Sequence, residues 1–176
     1  MFRKARSFVF IFSTLMLILG VTAGQADSQV RPAHDTYPGY IGSTLATNSV
    51  MSQNQYLSTG TGTGLGGPDF AILQGDGNLC LYRGADPSQN QGGIWCSNTS
   101  GHSQVFAIMQ GDGNFVIYKG TGPGNNQGYL WGTGAHSGGS PTFGITGWNA
   151  STGAAAPNIY VETIGSNNMY HVVWSS

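Results

Sequence analysis

Charge is what this chain has least of: six Lys and Arg and seven Asp and Glu among 176 residues. Residues 1–26 hold three of the six bases, leaving Arg31, Arg83 and Lys119 against seven acids, a net charge of −4. A chain so poor in cations has no patch with which to follow a phosphate backbone, which argues against nucleic acid as a partner. Long apolar runs are also missing. The longest, from Phe8 to Val21, covers 14 residues, short of the roughly 20 that a membrane-spanning helix needs. It follows Arg3, Lys4 and Arg6 and leads into Val21, Ala23, Gly24 and Ala26, the three-part pattern of a secretory signal peptide. Residues 1–26 are therefore expected to be that peptide, cleaved after Ala23 or Ala26. The product is then secreted, extracellular or periplasmic, without membrane insertion.

Cysteine is nearly absent, with only Cys80 and Cys96. In an exported chain two cysteines suggest a disulfide. The turn-rich stretch from Gly84 to Gly92 joins their two strands as in a hairpin, although two free buried thiols fit the same sequence. Catalytic and metal patterns are missing too. His34, His102, His136 and His171 are scattered without metal-ligand spacing, and no nucleophile motif accompanies them, so neither an enzyme nor a metal or other cofactor is expected. Asp76 and Asp112 belong to different repeats, too far apart for the roughly 5–10 Å of a glycosidase pair. The Gly-Asp-Gly-Asn turns lack the clustered carboxylates that calcium requires.

What is abundant is glycine, at 29 residues, together with eight Tyr, eight Phe and four Trp. Disorder tolerates the glycine but does not supply the aromatics, so ordered, turn-rich β structure is expected. About 150 residues follow the leader, enough for one domain with its own core. Residues 27–42, with Pro and Tyr, read as a loosely attached lead-in, and 43–176 as the domain.

Two nine-residue stretches within it are near copies. Gln74-Gly75-Asp76-Gly77-Asn78-Leu79-Cys80-Leu81-Tyr82 recurs as Gln110-Gly111-Asp112-Gly113-Asn114-Phe115-Val116-Ile117-Tyr118, offset by 36 residues. Successive strand side chains point to opposite faces, so Gln110, Asp112, Asn114, Val116 and Tyr118 share one face and Phe115 and Ile117 the other. Solubility alone would not repeat the same amide, carboxylate, amide and phenol in order, and the pattern points to a ligand surface.

The repeat extends on both sides. Aligned on the preceding aromatic, Phe70, Phe106 and Phe143 open three units, and each unit closes on a tryptophan: Trp95, Trp131 and Trp174. Three units of a few short strands predict three small sheets around one core, with these tryptophans filling the axis. Trp148 lies in an insertion. The third unit keeps only Asn158 of the motif, with Ala154, Ala156 and Glu162 where Gln, Asp and Tyr stood, so its strand is retained and its site lost. The stretch from Ser43 to Leu57 is expected to add one strand, completing the third sheet.

The Q-x-D-x-N-x-V-x-Y pattern, with the endings Ile94-Trp95-Cys96-Ser97 and Val173-Trp174-Ser175-Ser176, resembles the bulb-type (monocot) mannose-binding lectins over roughly Ser43 to Ser176. The resemblance implies an all-β, β-prism II fold: three four-stranded antiparallel sheets with pseudo-threefold symmetry. It also implies a mannose pocket on each intact motif. The polar contacts then fall on Gln110, Asp112, Asn114 and Tyr118, with Val116 against the sugar's C–H face, and on Gln74, Asp76, Asn78 and Tyr82, with Cys80 in the valine's place. Asp accepts only, Asn and Gln donate and accept, and Tyr does either, a set that fits the hydroxyl edge of a hexopyranose. The expected partners are mannose or mannose-containing glycans, held weakly and made useful by multiple sites or a homo-oligomer. Because the final tryptophan ending is followed at once by the end of the sequence, C-terminal strand exchange is not expected. The rival readings are a lectin-like antibacterial toxin or adhesin, and a structural prism that has lost sugar binding.

Overall fold

The computed structural model describes residues 37–60, 68–146, 158–164 and 170–176. The expected signal peptide, His34, Trp148 and the stretch Ala154 to Ala156 lie outside them, as do the side chains of His171 and Trp174. Among the described residues, twelve strands make three four-stranded antiparallel sheets. In chain order they begin with β1 (Thr44–Leu45), β2 (Val50–Ser52) and β3 (Tyr56–Ser58). Then come β4 (Asp69–Leu73), β5 (Leu79–Arg83), β6 (Gly93–Cys96), β7 (Val105–Met109), β8 (Phe115–Gly122) and β9 (Asn125–Gly132). The last three are β10 (Thr142–Thr146), β11 (Asn158–Ile164) and β12 (Tyr170–Ser175). Sheet one is ordered β3-β4-β5-β6, sheet two β2-β7-β8-β9, and sheet three β1-β10-β11-β12.

The segment before the first motif therefore supplies three strands, one to each sheet, and not the single strand expected. Each places one apolar side chain in the core, Leu45, Met51 and Leu57, a signal too short to show a period of two. Between them the chain turns at Asn48 and Asn54, which hold φ of 61° and 65°, the left-handed region that Asn tolerates better than most residues. Each corner is tied inward: Asn48 N–H donates to Met109 O and Asn54 N–H to Leu73 O, both at 2.6 Å.

Alternation fixes the rest of the core. Leu79 and Leu81 of β5, Phe115 and Ile117 of β8, and Ile159 and Val161 of β11 all point inward, leaving the motif side chains on the outer faces. Trp95 and Trp131 are half-buried, pack against this core, and meet edge to face with ring centroids 5.5 Å apart.

The alignment on the leading aromatic slips by one residue in the third unit. Phe70 pairs with Tyr82 and Phe106 with Tyr118, but Phe143 pairs with Val161. Phe143 is thus the counterpart of Ala71 and Ala107. A one-residue shift exchanges faces, so Phe143 enters the core and stacks on Phe115 at 3.6 Å, whereas Phe70 and Phe106 are buried on the outer side against Tyr82 and Tyr118. Thr142 and Glu162 occupy the place of those stacked pairs. Burial pushes the Glu162 carboxyl up, and a hydrogen bond with Thr142 opposes the shift.

The lead-in is not loose over its last residues. Ile41 N–H donates to Tyr56 O, Tyr56 N–H to Gly39 O and Ser58 N–H to Gly42 O, covering the otherwise open edge of β3. Tyr37 and Tyr40 pack on Tyr56, which is fully buried. Aromatic burial and edge pairing outweigh the turn-forming Pro and Gly here.

Asp69 sits at the start of β4, opposite Arg83. It is 3% exposed, and its Oδ2 has no hydrogen-bond partner among the described residues. Burial pushes its carboxyl up from 3.8 to about 6, although the Arg83 guanidinium pulls the other way. The folded state therefore holds this proton more tightly than the unfolded chain does. The stability it confers is complete below pH about 4 and is lost as pH rises through about 6. Asp69→Asn is expected to raise stability at pH 7.5 by on the order of 1–2 kcal/mol and to change little at pH 3.5, as urea melts at the two pH values would show.

Candidate functional site

Each intact motif is a hairpin turn followed by a strand. In the second, Gln110 N–H donates to Asn114 O at 2.9 Å and Gly113 N–H to Gln110 O at 3.1 Å. Gly113 holds φ +95°, and a Cβ there would lie 2.5 Å from Ser137 N, so only glycine fits. The first turn repeats this geometry, with Gln74 N–H to Asn78 O at 2.8 Å and Gly77 N–H to Gln74 O at 3.0 Å.

The side chains are held the same way in both copies. Gln110 Nε2 donates to Tyr118 Oη at 3.1 Å, and Gln74 Nε2 to Tyr82 Oη at 2.9 Å. Asp112 Oδ1 accepts the Asn114 backbone N–H and Asp76 Oδ1 that of Asn78, both at 3.0 Å. Asn114 Oδ1 accepts from Thr133 Oγ1 and Gly134 N–H at 3.0 and 2.9 Å. Asn78 Oδ1 accepts from Ser97 Oγ and Thr99 N–H, both at 3.1 Å. These bonds decide what remains for a ligand. Each site presents the Gln Oε1 and Asp Oδ2 as acceptors, the Asn Nδ2 as a donor and the Tyr hydroxyl as a donor. Asp76 and Asp112 are exposed, while the two Gln, two Asn and two Tyr are half-buried.

Sequence reasoning missed the hydroxyls that orient these asparagines. Ser97, Thr133 and Ser176 each stand two residues after a closing tryptophan. Each hydroxyl bonds the motif Asn and accepts the next backbone N–H, from Leu79, Phe115 and Ile159 at 3.1–3.2 Å. In sheet three Ser176 Oγ donates to Asn158 Oδ1 at 2.7 Å. This clasp explains why Asn alone survives in the third unit: there it closes the sheet edge without the rest of the site. The residue opposite Asn158 is Thr146, so no Gln counterpart stands on that strand pair.

The two intact sites differ underneath and beside the motif. Val116 is buried on the outer face, across from Gly132. In sheet one the corresponding pair is Cys80 and Cys96, joined by a disulfide with Cα atoms 4.1 Å apart. Cys80 Sγ lies 3.4 Å from Gln74 Oε1; a disulfide sulfur has no proton to give, so this contact crowds an acceptor without satisfying it. At the far end Tyr118 is flanked by Tyr129, and Tyr82 by Gly93.

The stretches after the motif strands have equal lengths but different structures. Pro87–Gln89 forms a 3-10 turn capped by Asp86, whose carboxylate accepts from Ser88 N–H at 2.8 Å, Ser88 Oγ at 2.5 Å and Gln89 Nε2 at 3.0 Å. Burial works against the Asp86 charge, but these bonds hold its carboxyl below the usual range. The counterpart of Asp86 is Gly122; with no side chain to cap a turn, β8 and β9 run on as a long hairpin.

The structure puts Asp76 and Asp112 in separate sheets, each in its own turn. Among the described residues no group of three or more His, Cys, Asp or Glu is placed to hold a metal.

No protein-family model matches this chain, and no curated protein matches it in sequence. Solved structures do match. A monomeric monocot mannose-binding lectin of Gastrodia elata aligns at TM-score 0.53 and 23% identity, over 76% of this chain and 96% of the lectin. The mannose-specific agglutinin of snowdrop (Galanthus nivalis) bulbs, complexed with methyl-α-D-mannoside, aligns at 0.44 and 21%, over 74% and 87%. The Marasmius oreades lectin aligns at 0.47 and 22%, over 78% and 92%. The likeness to the Gastrodia protein is one of fold: the three sheets form the β-prism II of the monocot lectins.

Proposed function

We propose that this chain is a secreted carbohydrate-binding protein that takes mannose, or the mannose units of larger glycans, at two sites. These are Gln110, Asp112, Asn114, Val116 and Tyr118 on sheet two, and Gln74, Asp76, Asn78 and Tyr82 on sheet one. One observation carries the reading. Two sheets repeat the same internal hydrogen bonds and leave the same two acceptors and two donors facing outward, while the third sheet keeps the fold-closing Asn without them. Export is supported by the expected signal peptide and by the disulfide, which persists in oxidising surroundings.

The arrangement acts by pairing several hydroxyls of one sugar edge at once. An epimer with one hydroxyl misplaced leaves a polar group unpaired, at about 1–3 kcal/mol, and this is the source of specificity. The sheet-two site is the better one, because its Gln110 acceptor has no sulfur against it and Val116 and Gly132 stand where sheet one carries the disulfide. At the sheet-one site the disulfide fills that space and Cys80 Sγ crowds the Gln74 acceptor. Single-sugar affinity of about millimolar is expected. Sites on separate faces of one prism would let a single molecule bridge glycans on a surface, with a gain in avidity.

The test is a titration of the secreted form with methyl α-mannoside, followed by NMR, beside methyl α-galactoside. Saturable shifts at the Gln110–Tyr118 strand with the mannoside, weaker or absent with the galactoside, are expected. A folded protein that responds to neither would overturn the reading.

A further inference from the structure

We infer that Tyr129 forms a second sugar subsite beside the sheet-two site, so that this site reads a disaccharide whereas the sheet-one site reads a single residue. The inference rests on the mannose reading of the motif. Tyr129 lies on β9 directly across from Tyr118, with ring centroids 6.3 Å apart and planes at 80°. It is 60% exposed, the most exposed of the large apolar or aromatic side chains described as exposed. Its neighbours Leu130 and Trp131 turn inward against the core, so the backbone on which the ring stands is anchored. Burial does not explain an aromatic ring kept in water beside the exposed polar half of β9. Its place does: it continues the surface that begins at Gln110, since Gln110 bonds the hydroxyl of the ring against which Tyr129 packs.

The surroundings have the chemistry of a glycan platform. An exposed ring offers its face to the C–H side of a pyranose, and side-chain amides beside it can reach the hydroxyls. Asn125, Asn126 and Gln127 are exposed on the same β9 strand. They are ordered by local bonds: Gln127 Nε2 to Asn125 Oδ1 and Asn125 Nδ2 to Thr121 Oγ1, both at 3.2 Å, and Gly128 N–H to Asn126 Oδ1 at 2.9 Å. Sheet one lacks the platform. Gly93 stands where Tyr129 stands, and the chain before it is folded into the 3-10 turn. A Cβ at Gly93 would lie 3.5 Å from Tyr82 Cε1, an ordinary contact, so that position accepts a side chain.

The experiment compares methyl α-mannoside with α-linked mannobiose, resolved site by site through NMR shifts of the two motif strands. At the sheet-two site the disaccharide is expected to bind about threefold to tenfold more tightly than the monosaccharide. Tyr129→Ala should remove that preference while leaving monosaccharide affinity and melting temperature unchanged. Tyr129→Phe should keep it, and Gly93→Tyr should create it at the sheet-one site. A wild-type protein that binds both ligands equally, or a Tyr129→Ala variant that retains the preference, would overturn the subsite alone. Failure of the monosaccharide to bind wild type would overturn the mannose reading and the subsite with it.

Discussion

Asp112→Asn should weaken mannoside binding at the sheet-two site by about tenfold to a hundredfold while leaving stability nearly unchanged. The two oxygens of Asp112 have separate tasks. Oδ1 accepts the Asn114 backbone N–H and shapes the turn, and an amide oxygen can take over that bond. Oδ2 faces outward as an acceptor, and the substitution makes it a donor. A sugar hydroxyl that donated to it then meets another donor, and the loss of a hydrogen bond to a charged group is worth about 1.5–3 kcal/mol. Asp112→Ala tests less cleanly, because it also orphans the turn N–H. The paired variant Asp76→Asn should have a smaller effect on total binding if, as proposed, the sheet-one site is the weaker one. Calorimetric titration of the two variants decides the matter. If Asp112→Asn titrates like wild type, the sugar is not held by this carboxylate.

Asn114→Ala should cost both binding and stability, and Asn158→Ala stability alone. Asn114 Oδ1 takes two hydrogen bonds from the Thr133–Gly134 turn, which leaves its Nδ2 to the ligand. Truncation strands Thr133 Oγ1 and the Gly134 N–H, at about 2–3 kcal/mol together, and removes the donor. Asn158 is 6% exposed and makes the same clasp to Ser176, on a sheet without a site. Its truncation should lower stability by a comparable 1–3 kcal/mol and leave the mannoside titration unchanged. Urea unfolding beside titration separates the two roles. A loss under about 0.5 kcal/mol for Asn158→Ala would mean that the clasp does little for this fold.

Much of this architecture is legible in the residues, and the exceptions have physical reasons. The motif copies show their two faces because five consecutive alternations in each make the period unmistakable, and the pairing of Cys80 with Cys96 follows from the hairpin that joins their strands. The strands at Leu45, Met51 and Leu57 are hidden because two or three residues carry no period. The slip at Phe143 is hidden because an aromatic is buried on either face of these sheets: Phe70 and Phe106 outside against tyrosine, Phe143 inside against Phe115. The clasp was readable in principle, since a hydroxyl follows each closing tryptophan by two positions. Nothing local distinguishes that hydroxyl from any other Ser or Thr until the strands are paired. Likewise the capped turn at Asp86 and the long hairpin at Gly122 come from stretches of equal length, and one side chain separates them.

The nested order of the first three strands governs how the chain can be assembled as it is made. Sheet one is complete once Cys96 has been synthesised, because β3 to β6 are consecutive. β2 must wait for β7, and β1, the earliest of the described strands, waits for β10. Its neighbouring contact, Thr47 Oγ1 to Pro141 O, closes a separation of 94 residues. Such long closures are slow and come late in folding. A growing chain thus carries β1 and β2 unpaired until β7 has been made, and β1 alone stays unpaired until β10 follows at Thr142–Thr146.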